Sequence, residues 1–441
     1  MPPALVPIIS LLMSTFFMMV GAGLASIVLP VRGSIEGWPI YSIGLIGTGF
    51  AVAFTAGCLI APRLVRRAGH VRTFASLAAL LAITALLHAL IVHPLSWLLV
   101  RAVSGFALAG AFMVIESWLN ERVTNESRGF VFSIYMIATL GAIMTGQFLM
   151  PLTDPSLATP FMLCAIMFAA AVIPTAMSRQ EHPKPLTETR LDLAAIFKTS
   201  PAAAVGVAMG GIMEGAWNNM APVFGREVGF NTTQIATLLV VTMAGGMTFQ
   251  YPLGRLSDHM DRRLVMAAAG FLCCGIAIAA ALVSSNRAPV LFAMSFCLGG
   301  VIYPVYSLAV AHANDHADSA SFVKISGGLL ILYGIGTMFG PLVAAGLMQW
   351  YGPHGIFLVM ASASFLYATY SIFRTFRRPP VPPEVQDDFA TMPLTPTQTP
   401  ATLALDPRAS GTNDASGTND ASGTNDATGA SEASGKSEAD T

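Results

Sequence analysis

The sequence predicts an all-α integral membrane protein, with 12 transmembrane helices in two six-helix repeats and a disordered C-terminal tail. Hydrophobic residues make up 54% of the 441 positions and charged residues only 11%, whereas a soluble domain is about 25% charged. The apolar residues form twelve stretches, each near the length of about 20 residues that a helix needs to cross a bilayer. Alternating stretches of about ten residues, as in a transmembrane barrel, are missing, so we expect helices.

The expected spans follow one another with short links. They cover residues 5–30, 40–62, 73–92, 95–117, 129–150, 158–178, 201–224, 233–253, 264–284, 288–311, 322–346 and 355–373. No charged residue precedes Arg32, whereas a signal peptide begins with a basic region and has a shorter apolar run. We therefore expect the first stretch to be a retained membrane span.

Lysine and arginine are unevenly distributed over the links. With the N-terminus inside, 17 of them fall on the cytoplasmic side, against only Arg32, Arg226 and Arg287 on the other side. Links rich in these residues stay in the cytoplasm. The sequence therefore predicts a multi-pass protein of the bacterial inner membrane with both termini cytoplasmic.

The chain divides at its longest internal link. We expect an N-terminal six-helix half over 1–178, a cytoplasmic linker over 179–200 and a C-terminal six-helix half over 201–378. Prolines follow from residue 379, and near the end the hexapeptide Ala-Ser-Gly-Thr-Asn-Asp recurs. Such small, polar and acidic sequence cannot form a core, so residues 379–441 are expected to be disordered. A role in binding a partner is the alternative.

Composition and motifs argue against several classes of function. The net charge of −1 does not favour nucleic acid as a partner. All five cysteines lie in apolar stretches without the spacing of metal ligands, so we expect no metal and no cofactor. The sequence lacks Gly-x-Ser-x-Gly, the full Walker pattern Gly-x-x-x-x-Gly-Lys-Ser/Thr and His-Glu-x-x-His, and we expect neither an enzyme nor ATP hydrolysis.

A compact charged cluster, Gly254–Arg263, separates two long apolar stretches. A weaker copy, Pro62–His70, lies 192 residues earlier, with Arg63 in the place of Arg255. Each copy follows the second span of its half, which indicates an internal repeat. Because each link is so short, the spans that flank it are expected to be antiparallel neighbours.

The second copy resembles the loop signature of the major facilitator superfamily, Gly-x-Leu-x-Asp-x-x-Gly-Arg-Arg. The residues that match it are Gly254, Leu256, Asp258, Arg262 and Arg263. Asp261 takes the place of the second glycine, and the first copy has Arg66 where the family has its aspartate. We therefore expect the N-terminal loop to lack the contact that this aspartate makes with a neighbouring helix.

Two further motifs resemble the YcaD-like bacterial branch of that superfamily. One is Glu-Ser-Trp-Leu-Asn at 116–120, and the other is Tyr303-Pro304 followed by Ala-His-Ala-Asn-Asp at 311–315. The resemblance covers about residues 5–375. It implies two six-helix repeats that face each other across a central cavity and transport solute by alternating access.

The resemblance also implies a cytoplasmic gate, because the charged loops lie where the two halves meet. The expected gate residues are Arg63, Arg67, Gly69, Glu116, Gly254, Asp258, Arg262, Arg263 and Asp315. Glu116 lies about fifteen residues, or roughly 22 Å, along one helix from Arg101, so the two cannot pair directly. A surface cap is an equally good interpretation of Asp315.

Arg101 begins the pattern Arg-x-x-x-Gly, which ends at Gly105. This resembles a fourth-span pattern of the superfamily, in which the arginine is associated with substrate or proton coupling. An arginine at membrane depth needs a wet cavity or an acidic partner. The alternative is a side chain that extends to the outer surface, because only about six residues of the span precede it.

Glu214 lies midway along the seventh span, and Trp217 and Asn218 follow at i+3 and i+4, the spacing of one helix face. A carboxyl, an indole and an amide at this depth are typical of a solute site. A low dielectric favours the protonated carboxyl, which suits reversible protonation. We expect these residues and Arg101 to bind substrate and protons; a structural hydrogen bond is the alternative for Glu214.

Together these patterns predict a secondary active transporter that moves a small organic solute across the inner membrane by proton-coupled symport or antiport. The alternatives are an uncoupled facilitator and a multidrug efflux pump, although Ile143–Gly146 lacks the Gly-Pro of drug antiporters. An alternative of another class is a receptor or scaffold that uses the transporter fold. The expected partners are a small-molecule substrate, protons and the lipid bilayer, without nucleic acid, and the protein is expected to be a monomer.

Overall fold

The computed structural model describes residues 8–124, 127–177, 197, 200–283, 287–315, 322–377, 379, 389 and 399. Within these ranges the long elements are all α-helices and no strand is present. The predicted linker lies outside the described residues except for Phe197 and Ser200. The predicted disordered tail also lies outside them, except for Pro379, Phe389 and Thr399.

The helices occupy the positions of all the expected spans. The N-terminal half contains α1 (Ile9–Ile35), α2 (Ile40–Ala68), α3 (His70–Leu90), α4 (Pro94–Arg122), α5 (Arg128–Leu149), a 3-10 turn (Met150–Leu152), α6 (Thr159–Ala170) and α7 (Val172–Ala176). The C-terminal half contains α8 (Pro201–Glu227), α9 (Thr232–His259), α10 (Arg262–Leu282), α11 (Ala288–Ile302), α12 (Pro304–Asn314), α13 (Phe322–Tyr351) and α14 (Gly355–Thr375). The predicted all-α fold is confirmed.

The sixth and tenth spans each consist of two helices. The sixth is broken at Ala171, between α6 and α7, and the tenth at Tyr303, between α11 and α12. Pro174 and Pro304 explain the breaks, because proline has no N–H to donate to the carbonyl four residues earlier and its ring crowds that turn. Tyr303, at the second break, faces the space between the halves.

In the described part of the chain, 11 helical segments are long and apolar enough to cross a membrane. The remaining expected span is α8, a helix of 27 residues that is less apolar than the others. Its length of roughly 40 Å exceeds the hydrocarbon thickness of about 30 Å. The polar residues that lower its hydropathy include Glu214, Asn218 and Asn219.

The helices run further than the apolar pattern predicts, and this corrects the expected loops. Gly254 and Asp258 belong to the last turns of α9, so the link to α10 is only Met260 and Asp261. In the first copy, α2 continues to Ala68 and Gly69 alone forms the link. Arginine and aspartate end an apolar pattern without ending a helix. We call the end of the bundle that carries these two links the basic end.

Close packing of α8 on α13 sets the centre of the C-terminal half. A Cβ atom at Gly215 would lie 2.6 Å from the carbonyl oxygen of Thr337, and one at Gly336 would lie 3.0 Å from the Cα of Gly211. Only glycine permits backbones to approach so closely. This packing holds one side of α8 against α13 and fixes the direction of the neighbouring polar side chains.

Candidate solute cavity

A cavity of about 530 Å³ lies between the two halves. Its wall is formed by α1–α6 of the N-terminal half and by α8, α9, Tyr303 and α13 of the C-terminal half. The volume is in the range of small-molecule sites, which is about 300–1,000 Å³. Most of the wall is apolar, and its larger polar side chains at membrane depth are His88, Arg101, Gln147, Asn218, Asn219 and Tyr303.

Arg101 of α4 lies in this wall, not at the outer surface. Its guanidinium carbon is 4.1 Å from the centroid of the Phe50 ring, which is a cation–π contact. No carboxylate in the described ranges forms an ion pair with it. The guanidinium therefore brings a positive charge into the cavity that this part of the chain does not neutralise.

Two polar groups close to the cavity were missed by the sequence reasoning. His88 Nδ1 lies 2.6 Å from the carbonyl oxygen of Thr84, so this nitrogen carries the hydrogen and Nε2 is left as an acceptor. Nε2 and the Oε1 atom of Gln147 are buried and lack a hydrogen-bond partner among the described residues. Their signal was a histidine and a glutamine within apolar spans.

Asn218 connects the cavity to Glu214. Tyr303 donates its hydroxyl hydrogen to Asn218 Oδ1 at 3.3 Å, and Asn218 Nδ2 donates to Glu214 Oε1 at 3.4 Å. Both distances are at the long limit of hydrogen bonding. Tyr303 and Asn218 line the cavity, whereas Glu214 does not and is only 3% exposed. The structure therefore places the carboxyl behind the wall, which corrects the expectation that it would line the cavity.

Trp217 does not face the cavity. Its side chain is fully buried, and its ring centroid lies 6.1 Å from that of Phe357 on α14. Consecutive residues of a helix point about 100° apart, so Trp217 turns away when Asn218 faces the cavity. Of the three side chains expected on one face of α8, the structure brings together Glu214 and Asn218 and places Trp217 in the core.

The two halves touch at the end opposite the basic end. Ser34 of α1 donates its hydroxyl hydrogen to Glu227 Oε1 of α8 at 2.7 Å. Thr48 of α2 donates to the carbonyl oxygen of Met338 on α13 at 2.8 Å. In the other direction the cavity extends along α2 as far as Arg63. The solute space is therefore bounded by direct contacts at one end and continues towards the basic end.

At the basic end, Arg262 ties three helices of the C-terminal half together. It is 1% exposed, and its Nε lies 2.7 Å from Asp315 Oδ2 after α12. Its Nη1 lies 3.1 Å from Asp258 Oδ1 and 2.9 Å from Ser257 Oγ, both on α9. Three of the nine residues expected at the gate, Asp258, Arg262 and Asp315, are thus brought together, but these contacts lie within one half. Asp315 accepts from a buried arginine here, which favours a structural tie over a surface cap.

Arg263 forms a second tie at this end. Its side chain donates to both carboxylate oxygens of Asp261, at 3.0 and 2.8 Å, and to the carbonyl oxygen of Arg374 at the end of α14, at 2.9 Å. Asp261 also accepts from the backbone N–H of Arg263 and so caps α10. Partial burial raises the pKa of Asp261, but the hydrogen bonds from Arg263 outweigh burial and lower this pKa below its usual value.

The first copy of the motif is built differently. Arg63 borders the cavity, whereas Arg67 is exposed. Gly69 has a φ angle of +80°, which lets the chain turn directly from α2 into α3. Arg66 stands where the second copy has Asp258. Position 66 therefore carries a basic side chain where the second copy has the carboxylate that pairs with Arg262.

Glu116 and Gly254 each contact a residue of the C-terminal tail. Glu116 is buried in α4, accepts from the hydroxyl of Tyr135 on α5 at 2.9 Å, and also accepts from Thr399 Oγ1. The ring of Phe389 lies directly on Gly254. The backbone N–H of Phe389 donates to Asp258 Oδ1 at 3.0 Å. Two described residues of the tail thus contact α4 of one half and α9 of the other.

Comparison with known sequences decides the family. The profile described as Major Facilitator Superfamily matches residues 11–330 and 203–409. The chain belongs to the major facilitator superfamily. This confirms the resemblance seen in the two charged links, and it shows a multi-pass membrane protein with a transporter fold.

Two curated relatives of this superfamily member carry the name uncharacterized MFS-type transporter YcaD. The protein of Salmonella heidelberg (strain SL476) is 25% identical over 363 residues, which are 82% of this chain and 94% of the relative. The protein of Escherichia fergusonii is 24% identical over the same shares. The predicted likeness to the YcaD-like branch is confirmed.

Solved structures of transporters share the fold. The nucleoside transporter NupG has a TM-score of 0.68 at 14% identity, covering 84% of this chain and 98% of its own. A bacterial homolog to the human lysosomal transporter Spinster, inward-facing and occupied, also has a TM-score of 0.68 at 13% identity, covering 87% and 98%. The comparisons confirm a membrane transporter, not an enzyme, and imply a small-molecule substrate.

Proposed function

We propose that this transporter moves a small organic solute across the bacterial inner membrane by proton-coupled alternating access. The observation that carries the proposal is a cavity whose wall is shared by both six-helix halves. In transporters built from two such repeats, rocking of one half against the other exposes a central site to each side in turn. A solute held by both halves would be carried through that movement.

The distribution of lysine and arginine supports an orientation for this movement. The basic end carries the two arginine-rich links and would face the cytoplasm. The contacts Ser34–Glu227 and Thr48–Met338 would then close the periplasmic side. To open that side, both hydrogen bonds must break. We propose that the basic links close against each other in that second state, which is the role expected of a cytoplasmic gate.

The connection from Tyr303 through Asn218 to Glu214 supports proton coupling. A buried carboxyl without a cationic partner is stable as the neutral acid, and it ionises when water or a new partner reaches it. In this structure Glu214 is separated from the cavity by one amide. Rotation of Asn218 or movement of α8 during rocking would expose it. We propose Glu214 as the proton carrier and Asn218 as the residue that links its state to the occupied cavity.

The test measures proton and solute movement together. The protein is reconstituted in proteoliposomes that contain a pH-sensitive dye, and pools of organic solutes are added outside under an imposed pH gradient. We expect a solute-dependent pH change with the natural chain and none with Glu214→Gln. The matched control is Asp154→Asn, because Asp154 is exposed and accepts hydrogen bonds only from Ser156 of the same loop among the described residues.

The alternatives give different results in the same assay. Solute flux without proton movement would indicate an uncoupled facilitator. Proton-coupled flux of many unrelated, mainly cationic solutes would indicate a multidrug pump. Unchanged proton coupling in Glu214→Gln would remove this residue from the mechanism.

A further inference from the structure

The charges around the cavity are not balanced. Its wall contains Arg101 at membrane depth and Arg63 at the basic end, but no aspartate or glutamate among the described residues. The buried carboxyl of Glu214 lies behind Asn218 of this wall and hydrogen-bonds to it, and that of Glu116 on α4 accepts from Tyr135 outside the wall. A positive charge is therefore presented to whatever occupies the cavity.

An unpaired guanidinium at this depth is unfavourable without a compensating partner. The contact with the face of Phe50 offsets only part of that cost. The planar fork of N–H donors on the Arg101 guanidinium matches a carboxylate, to which arginine donates two parallel hydrogen bonds. A carboxylate on a bound solute would supply the partner that Arg101 lacks among the described residues.

Two further groups indicate what else the solute carries. His88 Nε2 is an acceptor, because Nδ1 donates to the carbonyl oxygen of Thr84. It is buried without a partner, as is Gln147 Oε1, and both residues line the cavity with Arg101. Buried acceptors without partners are rare in stable proteins, since each carries a desolvation cost. Hydroxyl or amide hydrogens of a bound solute would satisfy both acceptors.

We propose that the solute is a small organic monoanion with a carboxylate bound by Arg101 and hydrogen-bond donors directed at His88 and Gln147. A single charge fits, because Arg101 is the one arginine at membrane depth in the described wall. The apolar remainder of the wall would enclose a carbon skeleton. This inference rests on the proposed function, because it assumes that the cavity is the transport site.

The experiment is a counterflow assay, which needs no knowledge of the driving ion. Proteoliposomes are loaded with an unlabelled bacterial metabolite extract and placed in the same extract made from cells grown on uniformly labelled ¹³C carbon. Mass spectrometry then identifies the labelled solutes that enter. We expect them to be carboxylates of net charge −1 at neutral pH. Loss of a charged hydrogen-bond partner corresponds to about tenfold or more in affinity, so Arg101→Gln should reduce their exchange by that factor.

Arg101→Lys and Arg226→Gln are the matched variants. Lysine keeps the positive charge but cannot donate two parallel hydrogen bonds. We therefore expect an exchange rate for Arg101→Lys that lies between the rates of the natural chain and of Arg101→Gln. Arg226 is exposed at the far end of α8, so its substitution should leave exchange unchanged. Size-exclusion chromatography of the detergent-purified variants shows whether each is folded.

The possible results test the monoanion, the role of Arg101 and the transport function separately. Exchange of neutral, cationic or multiply charged solutes by the natural chain would overturn the monoanion while leaving the transporter intact. Exchange of a monoanion that is equal in folded Arg101→Gln would overturn the role of Arg101. No labelled solute above empty liposomes would overturn the transport function and the inference with it. The charge class of the solute is determined with the natural chain alone, so a misfolded variant does not affect that result.

Discussion

Trp217 of α8 packs in the core and does not face the candidate solute cavity. It is fully buried, and its ring packs on Phe357 of α14. We expect Trp217→Ala to lower the free energy of unfolding by about 3–5 kcal/mol, because it leaves a large cavity in the core. The measurement is the melting temperature of the detergent-purified protein.

The matched control is Trp350→Ala, since Trp350 is 80% exposed on α13. We expect it to change the melting temperature little. If Trp217→Ala kept its melting temperature and lost solute affinity instead, the indole would belong to the solute site after all.

The same position explains how far the sequence predicts the site. The polar residues of α8 and Arg101 of α4 were visible, because charged and amide side chains are rare in apolar spans. Their spacing could not decide which of them faces the cavity. That direction is set by the packing of Gly215 against Thr337, a contact between residues distant in sequence. His88 was missed because one histidine in an apolar span has no defining pattern.

At the scale of helices and links, Asp261 stabilises the start of α10. The hydrogen bonds from Arg263 lower the pKa of this carboxyl despite its partial burial. A lowered folded-state pKa gives stability that is present above the unfolded pKa of about 3.9 and is lost as the pH falls through the folded pKa. We expect Asp261→Asn to lower the melting temperature at neutral pH, with a difference from the natural chain that shrinks below about pH 4. A pH-independent difference would contradict the assigned ionisation.

The C-terminal tail offers a second test at this scale. Phe389 contacts α9, and Thr399 donates to the buried Glu116 of α4. Because Phe389 and Thr399 lie ten positions apart on one stretch of chain, this pair of contacts links the halves at the basic end. We expect a chain that ends at Arg378 to transport faster than the full chain, because the movement of the halves is released.

Initial counterflow rates measure this effect, and Thr399→Val tests the hydroxyl separately. An unchanged rate would mean that the tail contacts do not oppose the movement. A complete loss of counterflow in a folded truncated chain would instead mean that the tail is required for transport.

The helices themselves were largely predictable, and their limits show why the rest was not. Apolar length placed every span. The predicted second and eighth spans ended just before Arg63 and Gly254, although α2 and α9 continue past both residues. Helix ends depend on capping, such as that by Asp261, and on tertiary contacts such as that of Arg262 with Asp315. Neither capping nor tertiary contacts can be recognised from the hydropathy of the sequence.

In the molecule as a whole, the two halves meet where residues of α2 contact backbone carbonyl oxygens of α13. Thr48 donates to the carbonyl oxygen of Met338, and Gly44 lies close to the carbonyl oxygen of Pro341. A backbone carbonyl is the same in every residue, so no sequence pattern predicts such a partner. The twelve spans and the repeat therefore followed from the sequence, whereas the closed end and the cavity required the structure.

Alternating access requires the halves to separate at this closed end during each transport cycle. The test replaces Ser34 and Glu227, which are joined by a hydrogen bond of 2.7 Å, with cysteine in a chain whose five native cysteines are replaced. Because cysteine is shorter than glutamate and a direct disulfide needs closely placed Cβ atoms, the two thiols are bridged with a short bifunctional methanethiosulfonate reagent. Counterflow is then measured before cross-linking, after cross-linking, and after reduction. We expect the cross-link to abolish exchange and a reductant to restore it. Undiminished exchange by the fully cross-linked protein would contradict alternating access through this end.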